Sequence, residues 1–397
     1  MPGRRRESPA DAPTTSLHHD HRMEQDVTTE SSSPTTSSVV EPPFATIEEA
    51  FSKAKENLEP GAWDYLEGGA GSEITLRANR AEFTRWQFRP RVMSGLPSPE
   101  TSTTVLGIPL ALPVLTAPFG ADGMFAPEGH KAVARANAAH GVISVVPEAG
   151  TFSMEDVASA APAAARICQL HPMGDPAGFR RMLKRIEEAG YSAICVTVDC
   201  PTAGWRERNL RNKFDVQREV FGGNYPAWWG PRELGEVFGQ LFSRTAPVWS
   251  WDELAAEMSH TSLPWMAKGI LNGEDAQLAV GAGASALVVS NHGGRQLDSV
   301  PAALAQLPEV VAAVGGQAEI LLDSGIRQGN DIVKAVALGA RAVFLGRPVA
   351  AALAAGGQAG VEHALWLLRE EMISTLTLLG RGSITDLGAD AVTRSAS

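Results

Sequence analysis

Cysteine is scarce in this chain of 397 residues, and the spacing of the few cysteines matches no common cross-linking pattern. The three are Cys168, Cys195 and Cys200, and no Cys-x-x-Cys pair occurs. An odd count without such a pair argues against a disulfide framework and against a zinc site, so we expect no bound metal. Cys168 and Cys195 stand in apolar runs and are expected to be small core residues. Cys200 follows Asp199 and is a candidate for the lining of a pocket.

Long hydrophobic runs and an excess of basic residues are also missing. No stretch is apolar over the length that a membrane-spanning helix needs, and no hydrophobic region follows the early Arg4-Arg5-Arg6. The formal net charge is -11 at pH 7, which opposes nucleic-acid binding because neutralising phosphates requires a basic face. We therefore expect a cytoplasmic protein without a membrane or nucleic-acid partner.

Composition divides the chain into a tail and one large body. Residues 1–43 are rich in Ser, Thr and Pro and poor in apolar side chains. Such a segment cannot bury enough surface to offset its ordering entropy, so we predict that it is disordered. Residues 44–90 favour helices, and from about residue 110 short apolar runs alternate with amphipathic helical patterns.

This alternation predicts one closed barrel over residues 44–390. The strand candidates are 112–118, 141–147, 165–170, 193–199, 264–269, 286–291, 319–325 and 342–348. Continuous apolar strands separated by helices indicate a parallel sheet covered on both faces, and eight such units indicate a TIM (β/α)8 barrel with an N-terminal helical segment.

One connection is much longer than the others. Residues 200–250, after the fourth predicted strand, form an insertion with the aromatic residues Trp228, Trp229, Phe242 and Trp249. A long βα loop on a barrel is commonly a lid or a contact surface. Its aromatic side chains either contact substrate or pack the insertion against the barrel.

The carboxyl ends of the predicted strands carry many polar side chains, and a TIM barrel has its site at these ends. They are Gln169 and His171 after the third strand, Thr197 and Asp199 after the fourth, Lys268 on the fifth, Ser290, His292 and Arg295 after the sixth, Asp323 and Arg327 after the seventh, and Gly346 and Arg347 after the eighth. So many polar groups at one mouth indicate a ligand site rather than a solvated rim.

The glycines and arginines after the last two strands favour a phosphate. Barrels commonly bind phosphate there. Gly325 and Gly346 allow close backbone approach, and Arg327 and Arg347 add two cations. Lys268, from the fifth strand, would stabilise an anion that forms on an aromatic cofactor ring.

His292 and Arg295 lie in one loop and can therefore reach one small ligand. His292 would act as a proton acceptor, and Asp199 from another strand would hold the resulting imidazolium. Arg295 would hold a carboxylate. A base, a carboxylate-binding group and a phosphate site together indicate an acid substrate beside a phosphorylated cofactor.

The segment SNHGGRQLD (290–298) resembles the FMN-dependent 2-hydroxy-acid oxidase and dehydrogenase family, and the likeness spans about residues 44–385. Further motifs that carry it are RPRV (89–92), TVD (197–199), LDSGIRQG (322–329) and GRP (346–348). The resemblance implies FMN as cofactor and oxidation of a small (S)-2-hydroxy acid to the 2-oxo acid with reoxidation by O2. It also implies a homotetramer or homo-octamer.

The resemblance also implies roles for single residues. It makes His292 the base, Asp199 its partner, Arg295 and Tyr65 the groups that bind the substrate carboxylate, and Arg206 a second active-site arginine. It also makes His171 the replacement of a catalytic Tyr. For FMN it implies contacts with Pro118, Gly120, Gln169, Thr197, Lys268, Ser290, Asp323, Gly325, Arg327, Gly346 and Arg347.

Details of the sequence favour one subgroup of the family and leave the identity of the substrate open. GWRERNL (204–210), the long insertion and Gly120 resemble lactate 2-monooxygenase, which decarboxylates its product oxidatively. His171 stands where the family usually has a Tyr that hydrogen-bonds the substrate hydroxyl, and Pro147-Glu148 replace small hydroxyl residues. His171 could still donate a hydrogen bond, or it could be a replacement without functional effect. It could also indicate a different substrate, a specialised biosynthetic 2-hydroxy acid oxidised by a dehydrogenase.

Two other functions compete with this one. Another FMN barrel, such as a type 2 isopentenyl diphosphate isomerase, would not need the pair of His292 and Arg295. A non-catalytic flavin-binding or scaffold protein is opposed by the same two residues together with Asp199.

Overall fold

The computed structural model of the chain describes residues 42–214, 220–225 and 248–395. The predicted disorder of residues 1–43 falls almost wholly outside these ranges and stays a prediction. Within the insertion, Trp228, Trp229 and Phe242 also lie outside the described residues. Trp249 is described, and its ring packs edge-on against Phe179 with the centroids 5.1 Å apart, so this aromatic side chain packs the insertion against the barrel helices.

The strands of the described residues are short and mostly buried. In chain order they are β1 (Trp86–Phe88), β2 (Thr103–Val105), β3 (Ile108–Leu110), β4 (Val114–Thr116), β5 (Ile143–Val146), β6 (Arg166–Leu170), β7 (Ala193–Thr197), β8 (Trp265–Ile270), β9 (Ala286–Val289), β10 (Glu319–Leu322), β11 (Ala342–Leu345) and β12 (Val392–Arg394). Strands β4 to β11 pair in parallel in chain order, and β11 pairs with β4 to close the barrel. The predicted TIM barrel is therefore confirmed, with every predicted strand present.

The strand interiors are apolar because side chains alternate between the barrel lumen and the surrounding helices. Ile167 points into the lumen cluster, which also holds Met266 and Phe344, while the next residue, Cys168, packs in the outer cluster. The hairpin of β2 and β3 adds Val105 and Leu110 to the lumen cluster. Among the described residues the barrel interior is therefore a packed core rather than a channel.

Helices cover the outside of the barrel. They are α1 (Ile47–Asn57), α2 (Pro60–Glu67), α3 (Ile74–Thr84), α4 (Gly129–His140), α5 (Met154–Ala160), α6 (Pro176–Glu188), α7 (Glu207–Arg211), α8 (Trp251–Met258), α9 (Gly273–Gly281), α10 (Ala303–Val314), α11 (Gly329–Ala337) and α12 (Arg347–Leu378). Local sequence sets several starts: Ser153 forms a capping box with Asp156 at α5, and Asp175 caps α6 just before a proline. None of the helices in the described ranges combines the length and the apolar character required to cross a bilayer.

The N-terminal helices contribute to the wall of the barrel mouth. Asn79, on α3, and Asn291, in the loop after β9, exchange two side-chain amide hydrogen bonds of 2.8 and 2.7 Å, and both residues are buried. The Asn79 oxygen also accepts the first backbone N–H of α10, from Ala303, at 3.2 Å. Because Asn291 directly precedes His292, this amide pair fixes the loop that carries the predicted base.

Replacing Asn79 with Ala is expected to lower the free energy of unfolding by about 2–4 kcal/mol, since it leaves buried amide groups of the partner loop without hydrogen bonds. Urea denaturation followed by circular dichroism measures the loss. Arg77→Ala, an exposed change on the same helix, is the matched control and should stay within about 0.5 kcal/mol of the parent. An equal loss in both variants would show that the amide pair has no special role.

Candidate active site

The polar strand ends meet in one cleft at the mouth of the barrel, which consists of two adjoining cavities. We call the cavity of about 160 Å³ beside the start of α12 the helix lobe, and the cavity of about 420 Å³ beside the insertion the loop lobe. The two share the lining residues Tyr65, Pro118, Gly120, Arg206, Lys268 and His292. The helix lobe adds Arg295, Asp323, Gly325, Arg327, Gly346 and Arg347, and the loop lobe adds Gln169, His171 and Thr197.

Two predicted residues line neither lobe. Asp199 and Ser290 line a neighbouring cavity, which shares Thr197 with the loop lobe. They contact the lining residues His292 and Lys268. With these two included, the structure brings every predicted site residue into one continuous cluster.

The helix lobe has the features of an anion site. Helix α12 starts at Arg347, so its free backbone N–H groups and the positive end of its dipole face this lobe. Gly325 has a φ of 93°, and a Cβ there would lie 2.4 Å from the carbonyl oxygen of Asn79. Only glycine allows this close approach of the chain.

Two arginines supply fixed positive charge to the helix lobe. The Arg347 guanidinium donates to three backbone carbonyl oxygens at 2.8–3.0 Å, which fixes its orientation. Arg327 pairs with Glu67 at 3.2 Å and lies 4.0 Å from the ring centroid of Phe51. Burial lowers the pKa of Arg327 to about 10, with Glu67 acting in the opposite direction, so the side chain remains charged at neutral pH.

Lys268 places a buried ammonium group where the two lobes meet. Its Nζ lies 3.3 Å from the Asp323 carboxylate and 3.3 Å from the Ser290 hydroxyl. Burial opposes the charged form, but Asp323 and Asp199 outweigh burial and raise the pKa of Lys268. Thr197 is its neighbour across the sheet. The junction of the lobes therefore carries a permanent positive charge.

His292 is held as a neutral imidazole by its surroundings. Its Nδ1 lies 3.1 and 3.2 Å from the two Asp199 carboxylate oxygens. Burial and the charge of Lys268 lower the pKa of His292 to about 4, against the attraction of Asp199. Burial would raise the pKa of Asp199, but His292 and Lys268 lower it to about 2. Nδ1–H therefore donates to a carboxylate, and Nε2 keeps its lone pair for a proton.

The third cysteine lies against this pair. The Cys200 Sγ is 3.5 Å from Nδ1 of His292, and Cys200 lines the loop lobe. Burial and the neighbouring Asp199 raise the pKa of Cys200. It therefore remains a thiol and leaves the proton chemistry to the imidazole.

The loop after β9 turns by an unusual run of left-handed residues. His292, Gly293 and Gly294 have φ values of 57°, 66° and 73°. A Cβ on Gly294 would lie 2.7 Å from the backbone nitrogen of Leu76. The motif His-Gly-Gly-Arg is thus required by the backbone, and the turn directs Arg295 back towards Tyr65.

Arg295 and Arg206 bring two further cations to the same side of the cleft. Their guanidinium carbons lie 4.7 and 5.7 Å from the ring centroid of Tyr65. Arg295 donates to the carbonyl oxygens of Tyr65 and Gly68. Within the described part of the chain neither arginine forms an ion pair with a carboxylate. Burial and, after it, the charge of Arg206 lower the pKa of Arg295, and a bound carboxylate would offset both effects.

The structure also shows two site residues to which the sequence analysis gave no role. The Glu148 carboxylate accepts hydrogen bonds from the side chain of His171 and from the Tyr225 hydroxyl. Glu148 was noticed only as a departure from the family pattern, and Tyr225 lies in the insertion, 77 residues away. The unusual glutamate beside a strand end was the one available signal, and nothing in the sequence pairs it with the tyrosine.

These residues fit FMN. A phosphate would be held by the start of α12, by Gly325 and by Arg327 and Arg347, which together supply N–H donors and positive charge. A flavin ring that gains negative charge on reduction would be stabilised by Lys268. Gln169 and Thr197 offer buried polar groups in the adjoining lobe.

Known proteins of similar sequence and structure are flavin enzymes. The sequence pattern of the FMN-dependent dehydrogenase family matches residues 54–394. An L-lactate oxidase of Nostoc sp. is 44% identical over 342 residues, which cover 84% of this chain and 94% of that protein. Glycolate oxidase 1 of Oryza sativa subsp. indica is 40% identical over 346 residues, covering 84% and 91%. The crystal structure of mandelate oxidase with benzoyl-formic acid has a TM-score of 0.81 at 38% identity, and the match covers 89% of this chain and 99% of that chain.

The match along nearly the whole barrel shows that this chain belongs to the FMN-dependent dehydrogenase family and is an FMN-dependent oxidoreductase.

Proposed function

We propose that this enzyme oxidises a small (S)-2-hydroxy acid to the 2-oxo acid, with O2 as the final acceptor. The observation that carries the proposal is the loop after β9. On it a neutral imidazole with a carboxylate partner stands three residues from a guanidinium that has no anion of its own among the described residues. The names of the relatives, which include lactate, glycolate and mandelate oxidases, support the same substrate class.

The carboxylate of the substrate is bound by Arg295 and Arg206, with Tyr65 beside them. The two guanidinium groups lie over one aromatic ring, so both can address the same anion. A carboxylate there replaces repulsion between two cations with charge-assisted hydrogen bonds, which favour a planar two-oxygen ligand. This contact fixes the end of the acid and directs C2 towards His292.

His292 removes a proton from the bound acid. Its Nε2 is the free nitrogen, because Nδ1 donates to Asp199. When Nε2 takes up the proton, the imidazolium faces the Asp199 carboxylate, which offsets the new charge. In balance the acid loses two electrons and two protons, and O2 takes them up as hydrogen peroxide.

The remaining predicted residues would hold FMN. They are Pro118, Gly120, Gln169, Thr197, Lys268, Ser290, Asp323, Gly325, Arg327, Gly346 and Arg347. When bound, FMN supplies the acceptor for two electrons from the acid and passes them on to O2. The predictions of a homotetramer or homo-octamer and of a cytoplasmic location stay predictions.

The deciding experiment is anaerobic mixing of the purified yellow protein with lactate, glycolate, mandelate and longer 2-hydroxy acids. Loss of flavin absorbance with any of them supports the proposal, and no bleaching by any acid contradicts it. An isomerase barrel or a flavin-binding scaffold would also leave the flavin unbleached. On admission of air, free peroxide identifies an oxidase, CO2 without peroxide a monooxygenase, and slow reoxidation a dehydrogenase.

The His292→Ala variant is expected to retain FMN but to reduce it about 10²–10⁴-fold more slowly, because the general base is lost. Stopped-flow absorbance under nitrogen measures the rate. His260→Ala, which changes an exposed histidine on the barrel surface, should reduce FMN at the parent rate. Unaltered reduction by His292→Ala would exclude the residue as the base.

The Arg295→Leu variant is expected to raise KM for the acid about 10- to 100-fold and to lower turnover, since a charge-assisted contact to the carboxylate is removed. Steady-state kinetics with the best acid measures both constants. Arg295→Lys keeps the charge but not the two-pronged geometry and should recover part of the loss. A KM unchanged in Arg295→Leu would contradict carboxylate binding by this residue.

The Arg347→Gln variant is expected to bind FMN about 10-fold or more weakly, because a fixed cation is lost beside the phosphate. Titration of the apoprotein followed by flavin fluorescence gives the dissociation constant. Arg341→Gln is the matched control, since Arg341 is exposed at the start of β11. Equal affinity in the two variants would argue against the helix lobe as the phosphate site.

A further inference from the structure

The two departures from the family pattern, at Glu148 and His171, meet in one buried cluster. Glu148 is buried, with 3% of the residue exposed. One of its oxygens accepts from both the backbone N–H and Nδ1 of His171, each at 2.8 Å. The other oxygen accepts from the Tyr225 hydroxyl. Three donors converge on one buried carboxylate, so His171 cannot rotate without leaving Glu148 partly unsatisfied.

Tyr225 is itself fixed to the barrel by its neighbour in the insertion. The Asn224 amide donates to the Glu148 carbonyl oxygen at 2.9 Å and accepts from the Met154 backbone N–H at 2.8 Å. Burial and Glu148 raise the pKa of Tyr225, so its hydroxyl remains a donor. A piece of the insertion thus completes the support of a side chain that lines the loop lobe.

The second ring nitrogen of His171 is the one available to a ligand. Nδ1 is used by Glu148. The Gln169 amide nitrogen lies 3.3 Å from Nδ1 and 3.4 Å from Nε2. An atom almost equally far from both nitrogens at these distances lies over the ring face, so it does not occupy the in-plane hydrogen-bonding position of Nε2. His171 lines the loop lobe together with His292.

Resting on the proposed function, we propose that Glu148 and Tyr225 are positioning residues that hold His171 as the hydrogen-bond donor to the C2 oxygen of the hydroxy acid, opposite His292. The hydroxyl of the acid has one proton, and His292 accepts it. The oxygen then offers only lone pairs to a second partner, so Nε2 of His171 must carry a hydrogen. Nδ1–H meanwhile donates to the buried Glu148 carboxylate.

The hydrogen-bonding capacity of histidine explains why the two departures occur together. His171 lines the same lobe as His292, and a histidine that donates from one ring nitrogen to the substrate needs an acceptor for its other N–H group, which Glu148 supplies. A tyrosine donates from a neutral hydroxyl and needs no such acceptor. Histidine at this position therefore requires Glu148, and Glu148 in turn requires the donors that His171 and Tyr225 supply.

A double-mutant cycle on the FMN-loaded enzyme tests the proposal. Glu148→Gln should slow anaerobic flavin reduction by the best acid about 10- to 100-fold in the parent, yet change it less than about 3-fold in a His171→Phe background. The same relative loss in both backgrounds would show that Glu148 is merely structural, and no loss in the parent would exclude it altogether. Thermal melting and FMN content verify that each variant is folded.

Two further measurements separate positioning from stability. Tyr225→Phe should slow reduction in the same direction as Glu148→Gln. Its matched control Tyr191→Phe should not, because the buried Tyr191 hydroxyl donates to the Met154 carbonyl oxygen and not to Glu148. Equal slowing by both tyrosine variants would contradict the proposal.

Binding gives a readout that does not depend on turnover. Pyruvate has a carboxylate and a C2 oxygen without a proton, so its affinity reports on donors alone. Calorimetry should show about 10-fold weaker pyruvate binding in Glu148→Gln, and no such difference in the His171→Phe background. If the parent enzyme is reduced by a hydroxy acid but the cycle is additive, only this inference fails. If no acid reduces the parent enzyme, the proposed function fails and the inference fails with it.

Discussion

Closure of the parallel barrel is the constraint on which the rest of the structure depends. Because β4 to β11 run in one direction and β11 pairs with β4, every strand delivers its carboxyl end to the same rim. Residues as distant in sequence as Gly120 and Arg347 are thereby brought around one cleft. The lumen itself is filled by apolar side chains such as Phe344, so the polar groups of the strand ends gather at the mouth, where a ligand can reach them.

Charged side chains give different parts of this rim different binding properties. The chain is acidic in total, yet its cleft concentrates Lys268, Arg206, Arg295, Arg327 and Arg347. Three of these cations have carboxylate partners within the protein: Lys268 pairs with Asp323, and Arg327 and Arg347 pair with Glu67. The pair at Tyr65 has none among the described residues. Local charge and not net charge therefore sets what the cleft attracts, which is an anionic ligand.

The sequence predicted most of this because the signals were local. Apolar runs such as 193–197 alternate with amphipathic helical patterns and so favour buried parallel strands, and the polar residues that end these strands lie at the mouth of the barrel. His292 and Arg295 share a loop, so their proximity followed from spacing alone. The amide pair of Asn79 and Asn291 and the cluster around Glu148 were not predicted. These join side chains from separate loops, and a single sequence has no periodicity that records which loops touch.

The backbone of the active-site loop is conformationally strained at His292. A non-glycine residue in the left-handed region costs about 1–2 kcal/mol, and this one is followed by two glycines in the same region. Relaxation of the turn is prevented from outside, by Asn79 on one side and by Leu76 packed against Gly294 on the other. The loop that carries His292 is thus kept in a strained conformation by contacts with the N-terminal helix α3. A chain shortened to the barrel alone would lose these contacts, and the loop would be free to relax.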